Sequence, residues 1–69
     1  MLKLGHYQHY KGGEYDLIGI AKHSETLEEL VIYRARYGDH EYWVRPIAMF
    51  SDEVEINHQK FPRFKYLEQ

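Results

Sequence analysis

Three short runs hold residue types from which chemistry is often built: His6-x-x-His9, Lys11-Gly12-Gly13 and His23-Ser24-Glu25. Imidazole is a good zinc ligand, and two histidines three apart look like half a metal site. On a strand, however, residues three apart point to opposite faces. The chain has no cysteine, and no clustered carboxylates complete the set. No metal and no cofactor is therefore expected. Lys-Gly-Gly invites a phosphate-loop reading. That loop needs a longer glycine segment, then Lys-Ser/Thr, then a helix. None follows here, so a glycine hairpin turn is expected instead. Catalytic serine, histidine and acid converge from separate positions, whereas adjacent residues on a strand diverge. Ser24 and Glu25 are expected to organise a turn, with His23 ending the strand before it. No catalytic residue is assigned. His23 keeps one chemical option, because its unperturbed pKa near neutrality suits a general acid or base.

The stronger signal is aromatic and basic. Seven tyrosines, three phenylalanines and one tryptophan crowd 69 residues. A chain this short buries only about 60% of its unfolded surface and is stable by ~3–5 kcal/mol. Some rings must then sit at the surface or line a cleft. Tyr7, Tyr10, Tyr15, Tyr33, Tyr37, Tyr42, Trp43 and Phe50 are candidates for an aromatic cage or stacking platform. The plainer reading is that most fill a small core, with hydroxyls at its rim. Lys+Arg number 9 against 11 Asp+Glu, a formal net charge of -2, which argues against bulk nucleic-acid binding by overall charge. A local basic patch remains open. No apolar run approaches the ~20 residues of a membrane span. The N-terminus lacks a signal-peptide apolar region. With no cysteine, a reducing cytoplasm is the expected location.

These residues must be positioned by strands. Residues 1–69 read as one small domain without repeat or linker. The His6 to Tyr15 phrase is two strands joined at a glycine turn. Glu14 to His23 and Glu29 to Tyr37 are long strands separated by a polar turn, and Tyr42 to Arg45 is a third. Pro46 ends regular pairing and opens a helical turn through Phe50. Val54 to Ile56 and Phe61 to Leu67 form a last hairpin around Asn57–Lys60, with Pro62 at an edge or bulge. Short strands with frequent turns predict a mainly β, antiparallel, SH3-like barrel with one helical turn.

Strand parity sharpens the placement. With the first turn centred on Thr26-Leu27, Ile20 opposes Tyr33. With the second turn at Gly38 to Glu41, Tyr37 opposes Tyr42 and Ala35 opposes Val44. The core face then collects Ile18, Ile20, Val31, Tyr33, Ala35, Tyr37, Tyr42 and Val44. The other face sets Gly19, Arg34 and Arg45 in one row, beside Trp43, with Tyr15 and His23 nearby. Two opposed arginines need an anion, and Gly19 leaves room for close approach. An anionic ligand would supply it, or Glu53 or Glu55 of the last hairpin.

The run Gly5-x-Tyr7-x-His9-Tyr10-Lys11-Gly12-Gly13-x-Tyr15 is followed by Ala21-Lys22-His23-Ser24-Glu25-Thr26 and Val31-x-Tyr33. Trp43-Val44-Arg45-Pro46, Met49-Phe50 and Pro62-Arg63-Phe64 come next. In these ordered blocks the chain resembles the bacterial domain-of-unknown-function family 1653 over nearly its whole length. The resemblance implies a small stand-alone soluble domain and implies no activity. It marks Tyr7, His9, Tyr10, His23, Ser24, Glu25, Trp43 and Arg45 as signature positions. Leu27 stands where a small or polar turn residue is expected.

The reading that follows is a non-enzymatic binding module. Arg34, Arg45 and Trp43, with His23, Tyr15 and Gly19, would hold the anionic group of a peptide, nucleotide or metabolite. Alternatives are a small enzyme with His23 as acid/base and the arginines as clamp, or a homo-oligomeric scaffold paired through a strand edge or aromatic patch.

Overall fold

Branched and aromatic residues alternating with polar ones draw the described residues into seven strands and one helical turn. The computed structural model describes residues 2–68. In chain order these are β1 (Gly5–His9), β2 (Glu14–Lys22), β3 (Glu29–Ala35), β4 (Tyr42–Pro46), α1 (Ile47–Phe50), β5 (Glu53–Ile56), β6 (Gln59–Pro62) and β7 (Phe64–Glu68). All pairings are antiparallel. One sheet runs β4-β3-β2-β1-β7, and β5-β6 is a separate two-stranded sheet. No helix is long and apolar enough to cross a membrane among the described residues.

The mainly β, antiparallel expectation holds, as does the helical turn opened by Pro46. The barrel does not close. Among the described residues, β4 and β7 are the two edges of an open five-stranded sheet.

Turn chemistry explains the register. At the β1–β2 turn the Gly12 amide donates to the His9 carbonyl at 2.8 Å, and the His9 amide to the Gly13 carbonyl at 2.7 Å. Gly12 adopts φ +107°, where a side chain would be strained. The β2–β3 loop is bracketed by the His23 amide donating to the Glu28 carbonyl, at 2.8 Å. It is centred one residue earlier than Thr26-Leu27, so Ile20 opposes Val31 rather than Tyr33. A bulge between Leu17 and Gly19 then shifts the pairing again, so that Leu17 opposes Tyr33. Because the side-chain period is two, this inserted residue exchanges the faces of the N-terminal half of β2. The β3–β4 connection is longer than expected: Tyr33 opposes Trp43 and Arg34 opposes Tyr42. That odd shift turns β4 over.

The core therefore differs from the expected face. Val31, Tyr33 and Ala35 are buried, as parity on β3 requires. Leu17, Tyr7, Phe50 and Phe64 join them, whereas Ile18, Ile20, Tyr37, Tyr42 and Val44 are exposed. Phe50 from α1 stacks on Phe64 from β7, with centroids 4.1 Å apart and planes 8° from parallel. Tyr7 meets Phe50 edge-on at 5.2 Å and Tyr66 at 5.3 Å. Its hydroxyl donates to the Lys3 carbonyl at 2.5 Å, so a buried polar tip is satisfied.

The last hairpin also departs from expectation. Its turn is the two residues Asn57-His58, both left-handed at φ 52° and 67°, because Ile56 opposes Gln59. The chain then breaks after Pro62, and β7 crosses to pair with β1. Arg63 fastens this crossing: its amide donates to the Asp52 carbonyl at 3.1 Å, and its carbonyl accepts from the Tyr10 amide at 2.9 Å. Asn suits a left-handed turn position and His does so less well. Leu27 is likewise left-handed, at φ 64°. His58→Gly and Leu27→Gly are each expected to stabilise the protein by about 0.5–1 kcal/mol, the relief of left-handed strain less the entropy of glycine. Urea midpoints check this; a lowered midpoint in both would refute it.

Candidate anion-binding face

Alternation along each strand decides which side chains share the inner face. From β4 come Trp43 and Arg45, opposite Tyr33 and Val31 of β3. Tyr15 of β2 lies opposite Ala35 of β3 and Tyr7 of β1. His9 of β1 lies opposite Phe64 of β7. The side chains converge on the Phe64 ring. His9 meets it edge-on at 4.9 Å, Tyr33 at 5.5 Å and Tyr15 at 5.7 Å. The Arg45 guanidinium lies over it at 5.8 Å, within cation–π range.

Arg45 is half-buried, and its Nε donates to the Tyr33 hydroxyl at 3.3 Å. The ion pairs among the described residues are His6–Glu14, Arg36–Asp16 and Arg63–Asp52. None involves Arg45. The guanidinium thus has an aromatic bed and one hydroxyl acceptor, but no carboxylate in pairing distance among the described residues. Glu53 and Glu55, the candidate internal anions, do not reach it. Asp52 is engaged elsewhere, accepting from Arg63 Nε at 2.6 Å. That interaction holds the Asp52 carboxyl below its ordinary range, with the Arg45 charge contributing.

The electrostatics around His9 are positive. Burial holds the His9 imidazole below its usual pKa, and the charges of Arg45, Arg63 and Lys11 press the same way. His9 is therefore kept neutral, with its Nδ1 accepting from the Lys11 amide at 3.1 Å. Tyr15 is pushed up to about 12, chiefly by burial and then by its hydrogen bond with the Tyr37 hydroxyl. The Tyr15 hydroxyl therefore stays protonated at neutral pH, and the Tyr15–Tyr37 pair offers a hydrogen bond at the edge of the face.

Two hollows flank this region. One, of about 380 Å³, lies beside β1 and β7 and is lined by His9, Tyr10, Ile56, Phe61, Pro62 and Lys65 among others. The other, of about 170 Å³, is lined by Ala35, Tyr37, Gly38, Asp39, Glu41 and Trp43.

Of the six residues chosen from the sequence, Arg45, Trp43 and Tyr15 share the inner face. Arg34 is on the outer face. It donates from Nε to the His40 carbonyl at 2.8 Å and lies over the Tyr42 ring at 4.8 Å. The opposed arginine row does not form: Arg34 faces Asp16 and Tyr42, Gly19 faces Ile32, and Arg45 faces Val31. The cause is the pair of register shifts described above. Gly19 sits at the bulge, with nothing within 4 Å of a Cβ placed there, so no close approach requires it. His23 is a loop residue whose Nδ1 accepts from the amides of Glu25 at 3.1 Å and Thr26 at 3.3 Å. It organises the turn and lines neither hollow.

His9 and Phe64 belong to the face beside those six, and Tyr37, a candidate for the aromatic cage, joins it through Tyr15. Parity on β1 carries the signal for His9, which shares the face of Tyr7. His6 points the other way, with Nε2 2.5 Å from the Glu14 carboxylate. No three His, Asp or Glu residues gather in a metal-holding group among the described residues.

The family model described as "Protein of unknown function (DUF1653)" matches residues 5–66. A crystal structure of a protein of that family from Bordetella bronchiseptica is similar, with 31% sequence identity and a TM-score of 0.88. The likeness covers 96% of this chain and 87% of the other. Comparison with curated proteins gives no match.

Proposed function

The chain belongs to the DUF1653 family of proteins of unknown function, and we propose that it is a small binding module that holds an anionic group on Arg45. One observation carries the reading: a half-buried guanidinium, set over Phe64 and bonded to the Tyr33 hydroxyl, has no carboxylate in pairing distance among the described residues. A half-buried cation without a counterion is costly, and an incoming carboxylate or phosphate oxygen repays it with charge-assisted hydrogen bonds. Trp43 and Tyr15 would flank the ligand, which selects an anion attached to a flat or apolar body: an acidic peptide side chain, a nucleotide or an aromatic metabolite. The analogy to SH3-like modules rests on a five-stranded antiparallel sheet around an aromatic centre, and fold alone assigns no ligand. A cytoplasmic setting is part of the same proposal and is supported by the cysteine-free sequence.

The enzyme reading draws less support. His23, Arg34 and Arg45 would have to converge as acid/base and clamp. His23 caps its own loop, and the arginines lie on opposite faces.

Inorganic phosphate and phenyl phosphate are the probes. A bound anion favours the charged form of a neighbouring imidazole. Titration with either is expected to shift the Trp43, Tyr15 and Arg45 resonances and to raise the His9 pKa back toward its ordinary value. Phenyl phosphate should act at lower concentration. Shifts confined to Arg34 and Tyr42 on the outer face, or a His9 pKa unmoved by both probes, would defeat the proposal.

A further inference from the structure

The free edge of β4 is built unlike a protected edge. Tyr42, Trp43 and Val44 are consecutive, large and uncharged, and are 61%, 49% and 62% exposed. Natural edges are usually blunted with charge, proline or a bulge. Here charge and proline come only at the far end of the strand, as Arg45 and Pro46.

The hydrogen-bond phase shows what this edge can accept. The Ala35 amide donates to the Glu41 carbonyl at 3.0 Å. Ala35 and Glu41 are thus a hydrogen-bonded pair of the β3–β4 ladder. In an antiparallel ladder such pairs alternate with non-bonded ones. Trp43 and Arg45 therefore also turn their backbone groups toward β3. Tyr42 and Val44 turn theirs outward, to the free edge.

We infer that this edge is the seam of a homodimer, with β4 pairing antiparallel to β4 of a second copy about a two-fold axis at Trp43. Only this register uses all the outward groups. Tyr42 lies opposite the partner's Val44 and Val44 opposite the partner's Tyr42, each pair exchanging two backbone bonds, roughly four in all. Moving the axis to Val44 would set Tyr42 against the partner's Pro46, which has no donor. Moving it to Tyr42 would leave Val44 facing a loop residue.

Side chains agree with the same register. Glu41 lies opposite the partner's Arg45 at both ends of the seam, and opposite charges across strands are favourable. Trp43 faces the partner's Trp43 in the central non-bonded pair, where side chains are closest. On the outer face the exposed Tyr42 and Val44 cover one another. The sequence Glu41-Tyr42-Trp43-Val44-Arg45 is self-complementary when reversed, which favours a second copy over an unrelated strand. The backbone part of this seam does not depend on the anion-binding reading. The partner's Glu41 would approach the guanidinium at the heart of that reading, so dimerisation and ligand binding compete.

Sedimentation equilibrium without added anion is expected to give a mass rising with concentration toward twice 8.4 kDa. Val44→Pro removes an outward donor while leaving the bonds to β3 intact. It should stay folded by circular dichroism and weaken the dimer roughly tenfold, through two lost bonds across the two-fold. The chain has no cysteine, so register is read directly by oxidation of single-cysteine variants. Trp43→Cys should cross-link, because opposed residues of a non-bonded pair lie within disulfide reach, with Cα atoms about 4.5 Å apart. Tyr42→Cys and Val44→Cys should not, because each faces the other residue type. The inference is overturned by a mass that stays at one chain at all accessible concentrations, by a dimer indifferent to Val44→Pro, or by cross-linking at 42 or 44 in place of 43. A monomer in which phosphate still moves His9 would sink the seam alone. A dimer with the expected cross-link and no His9 response would sink the binding reading alone.

Discussion

Phe64→Ala is expected to unfold the protein. Phe64 is buried in the core and is the ring that the other aromatic groups share. It stacks with Phe50, takes the edges of His9, Tyr15 and Tyr33, and lies under Arg45. Truncation removes the transfer free energy of a ring and leaves a cavity. Together these cost about 3–5 kcal/mol for a core phenylalanine. A chain of this size has only ~3–5 kcal/mol to lose. The two-dimensional NMR spectrum of the variant should collapse to narrow dispersion at room temperature. Phe64→Leu refills most of the volume, should cost less than about 1.5 kcal/mol, and should keep a dispersed spectrum. A well-folded Phe64→Ala protein would mean that the helical turn and sheet hold together without their shared ring.

Arg45→Gln is expected to leave the fold intact and remove the anion response. Gln can still donate to the Tyr33 hydroxyl, so no buried acceptor is orphaned. What goes is the charge. A hydrogen bond to a charged group is worth about 1.5–3 kcal/mol, so phosphate affinity should fall about ten- to hundredfold. Arg34→Gln, on the outer face, should leave it unchanged. His9 supplies a second reading of the same substitution. Its folded pKa is lowered first by burial and then by Arg45, Arg63 and Lys11. A lowered histidine pKa means that the unfolded chain takes the proton more readily. Stability is then whole above the unfolded value near 6.5 and falls as pH drops below it toward the folded pKa. In Arg45→Gln one positive neighbour is gone. The His9 pKa should rise part of the way, burial being untouched, and the loss of stability between pH 7 and pH 5 should shrink. An unchanged His9 titration in this variant would show that Arg45 does not govern the face.

The elements themselves were largely legible. Branched and aromatic runs placed β2, β3 and β4, Pro46 placed α1, and the family resemblance stood on blocks spread along the chain. The face was legible only where one strand's own alternation decided it, as on β3 with Val31, Tyr33 and Ala35. Relations between strands depend on loop length and on single inserted residues. The bulge at Gly19 and the longer β3–β4 loop each moved the pairing by an odd number beyond the expected turns, so Arg34 and Arg45 separated while Tyr15, Trp43 and Arg45 stayed together. From the sequence, Gly19 suggests room for a ligand. A glycine inside a strand pattern signals a bulge as readily, and here it marks one. His9 is marked in the sequence only as a signature position and as half of a His6–His9 pair, whereas its true companion on the strand is Tyr7.

The pairing of β1 with β7 has a consequence for synthesis. Strand β1 is the first strand of the fold to be made, yet one of its two neighbours is the last. Phe64 arrives with that last strand. Until it does, Tyr7, Tyr33 and Phe50 lack the ring that joins them, and the growing chain has hairpins but no centre. Long-range closure of this kind is slow and leaves apolar surface open meanwhile. A chain stopped before residue 64 would therefore be a sticky, unfinished sheet, and consolidation comes as a single late event once β7 can pair with β1.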